Sequence, residues 1–413
     1  MASGGAGMVD DDADLTRARA LLRAGFAAGV ARAEPGDAVS AALRDVAPPA
    51  RIMALGKAAI PMARAALGRF PGTPCLVVTN RENAVALPGA QVVVGGHPVP
   101  DAGSLRAGEA LLAEARRLRP GEEGLVLVSG GGSALAAAPR AGVSLADKAR
   151  VSELLLASGL DIRAMNLVRQ GLSRLKGGGL ARAAFPGRLR ALLLSDVVGD
   201  DPAAIASGPT VRPLGTPSEA AELLREKAVW DLVPESCRVA LSRGSEPVPE
   251  GEVRVVGSNA ASVAAMGAAM PGAHIVDRPL TGDVGAAAAV VATAARAGRG
   301  VTVWGGETTV VLRGAGLGGR NQELAMRVAL LLRDIDRPWA FLSGGTDGRD
   351  GPTEAAGGLV DDGSLARIAA AGLDVEALLA RNDSHRALAA SGDLLVTGGT
   401  GTNVADLQGL WVG

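Results

Sequence analysis

The feature that most constrains this chain is a recurring alternation. Short apolar runs at Arg51–Leu55, Cys75–Thr79, Gln91–Val94, Leu125–Val128 and Leu189–Leu194 are separated by Ala/Leu/Arg segments of helical character, such as Leu105–Leu118 and Val151–Ser158. A further helix is expected ahead of them, over about Leu15–Arg32. Strand-like runs joined by segments long enough to cross over predict parallel strands connected by helices. Nearly every run ends in a Gly-rich or polar loop: Gly56-Lys57, Gly95-Gly96-His97, Ser129 to Ser133, Ser195-Asp196. In open parallel sheets the carboxyl ends of the strands carry the ligand.

The polar, Pro-rich stretch Ser242–Glu252 interrupts the pattern, which restarts at Val253–Val256, His274–Val276, Val301–Trp304, Thr308–Leu312, Trp339–Leu342 and Leu394–Val396. A length of 413 residues suits two domains better than one core. The expected organisation is a disordered tail (1–14), a Rossmann-like α/β domain (15–245) and a different C-terminal α/β domain (246–413). Both would have mostly parallel sheets, with the active site in the cleft between them.

A net charge of −1 provides no field for nucleic acid or an anionic membrane, and 2% aromatics without tyrosine give no stacking platform. Cys75 and Cys237 lie far apart, outside any CxxC pattern, so a disulfide framework and a thiolate metal site are excluded. A buried structural role in a reducing cytosol is expected for both. Met1–Asp14 has no basic or apolar leader region, and the small-apolar run Val284–Ala295 is too short to span a bilayer. A cytoplasmic enzyme without a membrane or nucleic-acid partner is the expectation.

Gly130-Gly131-Gly132-Ser133 follows an apolar run and precedes a helix-like segment, where converging N–H groups can hold a phosphate; a tight βα turn is the alternative. A Walker A motif is absent, since Ala58 follows Gly56-Lys57 and Arg51 stands where its first glycine belongs. Lys57 at a strand's carboxyl end can bind a carboxylate or phosphate, and a lysine is electrostatically misplaced at a helix start. Asp196, in the carboxylate run Ser195–Asp201, offers a hard oxygen suited to Mg²⁺, whereas Asp201 before Pro202 reads as a helix cap. His97 at a strand end is a candidate substrate contact, and His274 is read as structural.

Gly314-Ala315-Gly316-Leu317-Gly318-Gly319 matches GxGxxG between the Thr308–Leu312 run and an expected helix Gln322–Leu332. A dinucleotide site is the tempting reading, but the run lies late in the chain and leads into Arg320 at the helix entrance. The next strand ends in another Gly-rich loop rather than a lone ribose-binding acid. Arg320 fits better as a clamp on phosphoryl charge. In Ser343–Glu354, Asp347 could accept a hydroxyl proton and Asp350 could hold metal, against a plain loop with Asx-turns. Gly358 stands where an EF-hand beginning at Asp347 needs its closing Glu. Asn382-Asp383-Ser384-His385 resembles ordinary capping, whereas Thr397–Val404, with Thr400, could bind an anion through backbone and hydroxyls.

In this order the runs Leu55–Ala59, Gly95–Pro98, Ser129–Leu135, Asn166–Arg169 with Ser173 and Lys176-Gly177-Gly178, Ser195–Pro209, Gly305–Thr308, Gly318–Glu323, Ser343–Thr353, Asn382–Ser384 and Thr397–Asn403 resemble the class II glycerate kinases. The C-terminal runs look like that family's MOFRL-type module. Thr281-Gly282-Asp283 departs from the pattern, which has Gly-Glu there. The resemblance implies two different α/β domains, ATP and Mg²⁺, and phosphorylation of D-glycerate at its 2-hydroxyl. It makes Lys57 and Arg320 the catalytic pair; Asp347, read from its own loop, is the candidate to orient the hydroxyl. Gly130, Gly131, Gly132, Ser133, His97, Lys176, Asn321 and Thr400 are the candidate substrate and nucleotide contacts, and Asp196 and Asp350 the candidate metal ligands. Members have also been labelled hydroxypyruvate reductases, so an NAD(P)H-dependent reductase is the alternative. Assembly as a homodimer is left open.

Overall fold

The computed structural model describes residues 6–413 except Asp161, Val198 and Ser245, with side chains from Ala13 onward, Ile162 aside. It divides into two compact units, one spanning Pro35–Val256 and the other combining the N-terminal segment up to Glu34 with Gly257–Gly413.

The first unit holds six strands: β1 (Arg51–Leu55), β2 (Cys75–Thr79), β3 (Ala90–Val94), β4 (Glu123–Val128), β5 (Arg188–Leu194) and β6 (Glu252–Gly257), in the order β3-β2-β1-β4-β5-β6. The pairs β2–β3, β1–β2, β1–β4 and β4–β5 are parallel, with Ala54 opposite Val77 and Leu127. Met53, Leu55, Val126, Val128 and Leu193 face one core with Leu111 and Leu112 of the crossover helix Ala102–Ala115. Each such side chain contributes roughly 1.5–3 kcal/mol by burial. Successive strands run outward from β1 in one direction and from β4 in the other. The order therefore reverses between β1 and β4, which makes the two loops leaving these strands a switch-point crevice.

The second unit holds β7 (His274–Ile275), β8 (Leu280–Asp283), β9 (Gly300–Thr309), β10 (Trp339–Gly345), β11 (Gly357–Asp361), β12 (Leu394–Leu395) and β13 (Asp406–Val412). Their order is β12-β11-β10-β13-β9-β7, with β8 also on β9. Here the expectation of a mostly parallel sheet is corrected. β9 and β10 do point the same way across the helix Arg320–Leu331, as a crossover requires, but β13 inserts between them antiparallel to both. β11 and β12 add further antiparallel pairs. The polar residues Asp406 and Gln408, both fully buried, break the apolar signature that would have announced β13.

Two boundaries also move. Residues 1–5 of the expected tail lie outside the described residues, while 6–14 open a helix, Ala6–Arg32. Ala18, Leu22 and Phe26 anchor that helix on Val263, Met266, Leu342 and Leu407, and Arg19 pairs with Asp361 and Asp393. The first helix consequently belongs with the C-terminal sheet rather than with 15–245. The Pro-rich stretch leads into β6, so the division falls after Val256.

Candidate active site

In the first unit the loops after β1 and β4 are tied together. Lys57 N donates to Gly130 O (2.9 Å), and Ala58 N donates to Ser129 Oγ (3.0 Å). Gly131 sits in the left-handed region (φ +81°), and only a single helical turn, Gly132–Leu135, follows it. A Cβ at Gly131 would lie 3.2 Å from both Lys57 Cγ and His97 Cδ2, and a side chain at Gly130 would run into the Asp196 carboxylate. Gly130, Gly131, Lys57, His97 and Asp196 are thus brought to one spot at the switch point. Burial pushes the His97 pKa down, Lys57 lowers it further and Glu82 opposes, so a neutral imidazole faces the lysine.

Lys176 enters from the other side. Its Nζ donates to Ser133 Oγ (2.7 Å), and Ser133 continues through Ser207 Oγ (3.1 Å) to Asn166 Oδ1 (3.2 Å). Only 5% of Lys176 is exposed, and burial, with repulsion from Lys148 and Arg169, holds its pKa well below the ordinary lysine value. Lys148 itself is pushed down to about 8, chiefly by burial. Ala206 and Ser207 adopt left-handed backbone (φ 49° and 61°), strained for non-glycine residues, where Ser207 meets Ser133. Sequence reading missed Lys148, which stands in no motif, and did not single out Ser207 within the Ser195–Pro209 run.

In the second unit Arg320 opens its helix. Nε and Nη2 donate to the two carboxylate oxygens of Asp406 (2.7 and 2.9 Å), and Nη1 donates to Glu307 (2.6 Å). Burial works to lower the Arg320 pKa, but Asp406, Glu307 and Asp350 outweigh it and raise it, so the guanidinium is permanently charged. Asp406 is fully buried. Desolvation carries its pKa up to about 6 in spite of Arg320. Asp406 went unnoticed in the sequence; the usable signal was a lone carboxylate heading a largely apolar run, since a buried charge demands a partner.

Asp347 neighbours this pair: its Oδ1 would lie 3.2 Å from a Cβ on Gly345, and Asp406 Oδ1 3.5 Å from the same point. Arg349 N donates to Asp347 Oδ1 (3.0 Å), and Thr400 N donates to the Asp347 carbonyl (3.3 Å). Thr400 also donates its hydroxyl to Thr346 O, so it braces the Asp347 loop. Arg320, Asp347, Asp350, Gly314, Gly316, Gly318 and Gly319 share a cavity of about 620 Å³.

Two expected ligands have structural positions. Asp350 caps the Arg320 helix, accepting from Asn321 N (3.1 Å), Gln322 N (2.8 Å) and Gln322 Nε2 (3.1 Å), which differs from the metal-ligand expectation. Both its oxygens face helix donors, and burial raises its pKa against those bonds. Asn321 is 1% exposed, accepts from Ser343 Oγ (2.6 Å) and so faces the interior instead of a ligand. Among the described residues no group of three or more His, Cys, Asp or Glu gathers as a metal cage.

The Gly314–Gly319 loop has a different use for its glycines. Asn382 Oδ1 accepts from Arg313 N (2.6 Å) and Gly314 N (3.3 Å), Arg381 O accepts from Gly316 N (3.0 Å), and Asp383 Oδ1 accepts from Leu317 N (3.1 Å). A side chain at Gly316 would meet the Arg381 and Asp383 backbone, and one at Gly319 the Asp350 carboxylate. These N–H groups serve the chain's own 381–383 segment, whereas a dinucleotide-binding loop must leave them to a pyrophosphate.

Comparison with known proteins decides the family. Residues 21–242 match a domain of unknown function (DUF4147) and residues 300–406 the MOFRL family. A glycerate 2-kinase of Pyrococcus horikoshii is 38% identical over 376 residues, covering 86% of this chain and 85% of its own. The chain belongs to the class II glycerate kinase family. The crystal structure of a glycerate kinase from Thermotoga maritima superposes with a TM-score of 0.89 at 33% identity, covering 96% of this chain and 99% of that one. A putative hydroxypyruvate reductase of Agrobacterium vitis is 40% identical over 419 residues, covering 96% of this chain and 95% of its own. In this class II glycerate kinase the GxGxxG loop is engaged internally, which gives the reductase reading no cofactor site where the sequence suggested one.

Proposed function

We propose that this protein is a glycerate 2-kinase that transfers the γ-phosphoryl group of ATP to the 2-hydroxyl of D-glycerate. The observation that carries the kinase reading over the reductase one is the engagement of Arg313, Gly314, Gly316 and Leu317 N–H groups by residues 381–383. Similarity to glycerate 2-kinases over 86% of the chain supports the same reading. In the reaction the bond from the γ-phosphorus to its bridging oxygen breaks and a bond to the glycerate 2-oxygen forms. The hydroxyl proton passes toward the Asp347 carboxylate, and ADP leaves.

Gly130–Ser133 and Lys176 receive nucleotide phosphates, Lys57 with neutral His97 binds the glycerate carboxylate, and Arg320 stabilises the charge of the transferring group. Catalysis of this kind is positioning and charge stabilisation. Mg²⁺ bound to the nucleotide would neutralise phosphate charge. Asp196, a hard oxygen donor beside Gly130, fits an ion held by one or two carboxylates and substrate phosphates. Reduced Cys75, its thiol pushed up to about 12 by burial, and buried Cys237 suit a cytoplasmic setting. Among the described residues no helix is long and apolar enough to cross a membrane. Light scattering would test assembly as a homodimer.

A coupled assay with ATP, Mg²⁺ and D-glycerate, followed by phosphorus NMR of the product, tests the reading. Formation of 2-phosphoglycerate is expected. NADH-dependent loss of hydroxypyruvate without ADP release would overturn it.

A further inference from the structure

A second concentration of positive charge lies in the first unit, on residues the proposed reaction does not use. A cavity of about 450 Å³ is lined by Arg116, Arg140, Arg174, Arg182 and Arg243, with Glu246 the acid among its lining residues. None of Lys57, His97, Gly130–Ser133, Lys176 or Asp196 belongs to it. Arg174 is accounted for: it pairs with Glu109 and donates to Pro139 O (2.8 Å). Arg140 and Arg182 are half-buried and, among the described residues, make no ion pair; Arg140 has one long bond to Ala240 O (3.3 Å). Glu246 forms no ion pair with either among the described residues, though its charge works to raise both pKa values against the burial. Burial lowers both pKa values, Arg140 is further lowered by Arg243, and Arg182 by Arg140. Half-buried like charges facing one another in a concave site cost energy, and a guanidinium cannot shed its proton to relieve it.

We infer that this arginine-lined cavity is a binding site for a small polyanion bearing two or more phosphate or carboxylate groups, separate from the proposed catalytic residues. The chemistry follows from the donors, because guanidinium forks pair bidentately with phosphate and carboxylate oxygens. The cavity's size admits a small metabolite, and the chain's net charge of −1 makes this a local feature rather than part of a basic surface. Its wall also reaches the proposed nucleotide contact: Ser173 lines the cavity, and its hydroxyl accepts from Lys176 N (3.2 Å).

The test is calorimetric titration of the full-length protein with pyrophosphate and, separately, with citrate. The wild type, an Arg140→Gln/Arg182→Gln variant and a Lys57→Ala/Arg320→Ala variant are compared. Binding should persist in the Lys57/Arg320 variant and weaken at least tenfold in the Arg140/Arg182 variant. That variant should retain wild-type basal turnover and melt no lower than wild type, since repulsion has been removed. Tighter binding of pyrophosphate would name a phosphorylated ligand, and of citrate a polycarboxylate. Equal affinity in wild type and the Arg140/Arg182 variant, or binding lost only with Lys57 and Arg320, would overturn the assignment. A lowered melting point in Arg140→Gln/Arg182→Gln with unchanged affinity would show that the arginines are structural.

Discussion

The cations of the two units are held in opposite ways. Lys176 is buried against a serine hydroxyl with Lys148 and Arg169 as its charged neighbours, and its charge is disfavoured. Arg320 is a third exposed, yet gripped by Asp406 on one edge and Glu307 on the other, and its charge is reinforced. The first arrangement is destabilised until an anion arrives, which suits ground-state binding of phosphates. The second is already neutralised and oriented, which suits stabilising charge that develops only during transfer. Sequence motifs alone present both as a cation beside glycines; only the partners separate them.

The comparison breaks most readily at Arg320. Arg320→Ala should lower kcat by about 10³-fold, in the range seen when an arginine is removed from phosphoryl transfer. Arg320→Lys should recover little, because an ammonium cannot span both oxygens of Asp406 while also reaching Glu307. Steady-state kinetics with D-glycerate decides it, and near-normal turnover of Arg320→Ala would remove the residue from the mechanism.

Lys176→Met comes next, with kcat/KM for ATP falling by about 10²-fold. The wild type should lose ATP affinity as pH rises through the depressed Lys176 pKa, and Lys176→Arg should flatten that limb. Stability moves in the other direction. Since the folded-state pKa lies below the ordinary 10.5, the unfolded chain binds more protons across that interval, and the folded state gains stability as pH rises. Lys148 adds to this between about 8 and 10.5. Parallel ATP titrations and thermal melts followed across the pH range below 10.5 should therefore diverge; if both fall together, Lys176 carries its proton unperturbed.

Asp406→Asn should reduce kcat by about tenfold, since one charge-assisted bond to the guanidinium is replaced by an opposed N–H donor. Its pH signature has a defined sign. Asp406, raised to about 6, takes up its proton in the folded state before the unfolded chain does. Acidification from about 6 toward 4 therefore stabilises the fold through this group while loosening Arg320. The acid limb of kcat should precede unfolding in the wild type and vanish in Asp406→Asn. A limb that survives the substitution belongs to another group.

Much of the first unit was legible in the chain. The runs that became β1 to β5 are apolar and end in loops that the switch point then collects, so Lys57, Gly130–Ser133, His97 and Asp196 could be read as one group. The second unit resisted for physical reasons. β11 is built on Gly357 and Gly358 and lacks the β-branched richness of a strand, and β13 opens with a buried Asp406 that periodicity scores as polar. The local spacing of Gly314–Gly319 could not say that its N–H partners come from residues some 70 positions later. Likewise Asp350 resembles a metal ligand until the helix it caps is seen.

That last residue gives the smallest predicted effect and the sharpest test of which acids are catalytic. Asp350→Ala removes acceptors from Asn321 N and Gln322 N at the entrance of the Arg320 helix. The loss should be about 2 kcal/mol of stability, the upper range for a helix cap, seen as a lowered midpoint in urea. Arg320 keeps its hold on Asp406 and Glu307, which do not depend on the cap, so kcat should change little once the folded fraction is matched. The Mg²⁺ dependence should stay at the wild-type value, whereas Asp196→Ala should shift it. If Asp350→Ala instead raises the Mg²⁺ requirement at unchanged stability, then Asp350 turns from the helix to the metal when nucleotide is bound. The contrast between a pre-neutralised Arg320 and an anion-seeking Lys176 would then need a second metal-dependent step in its account.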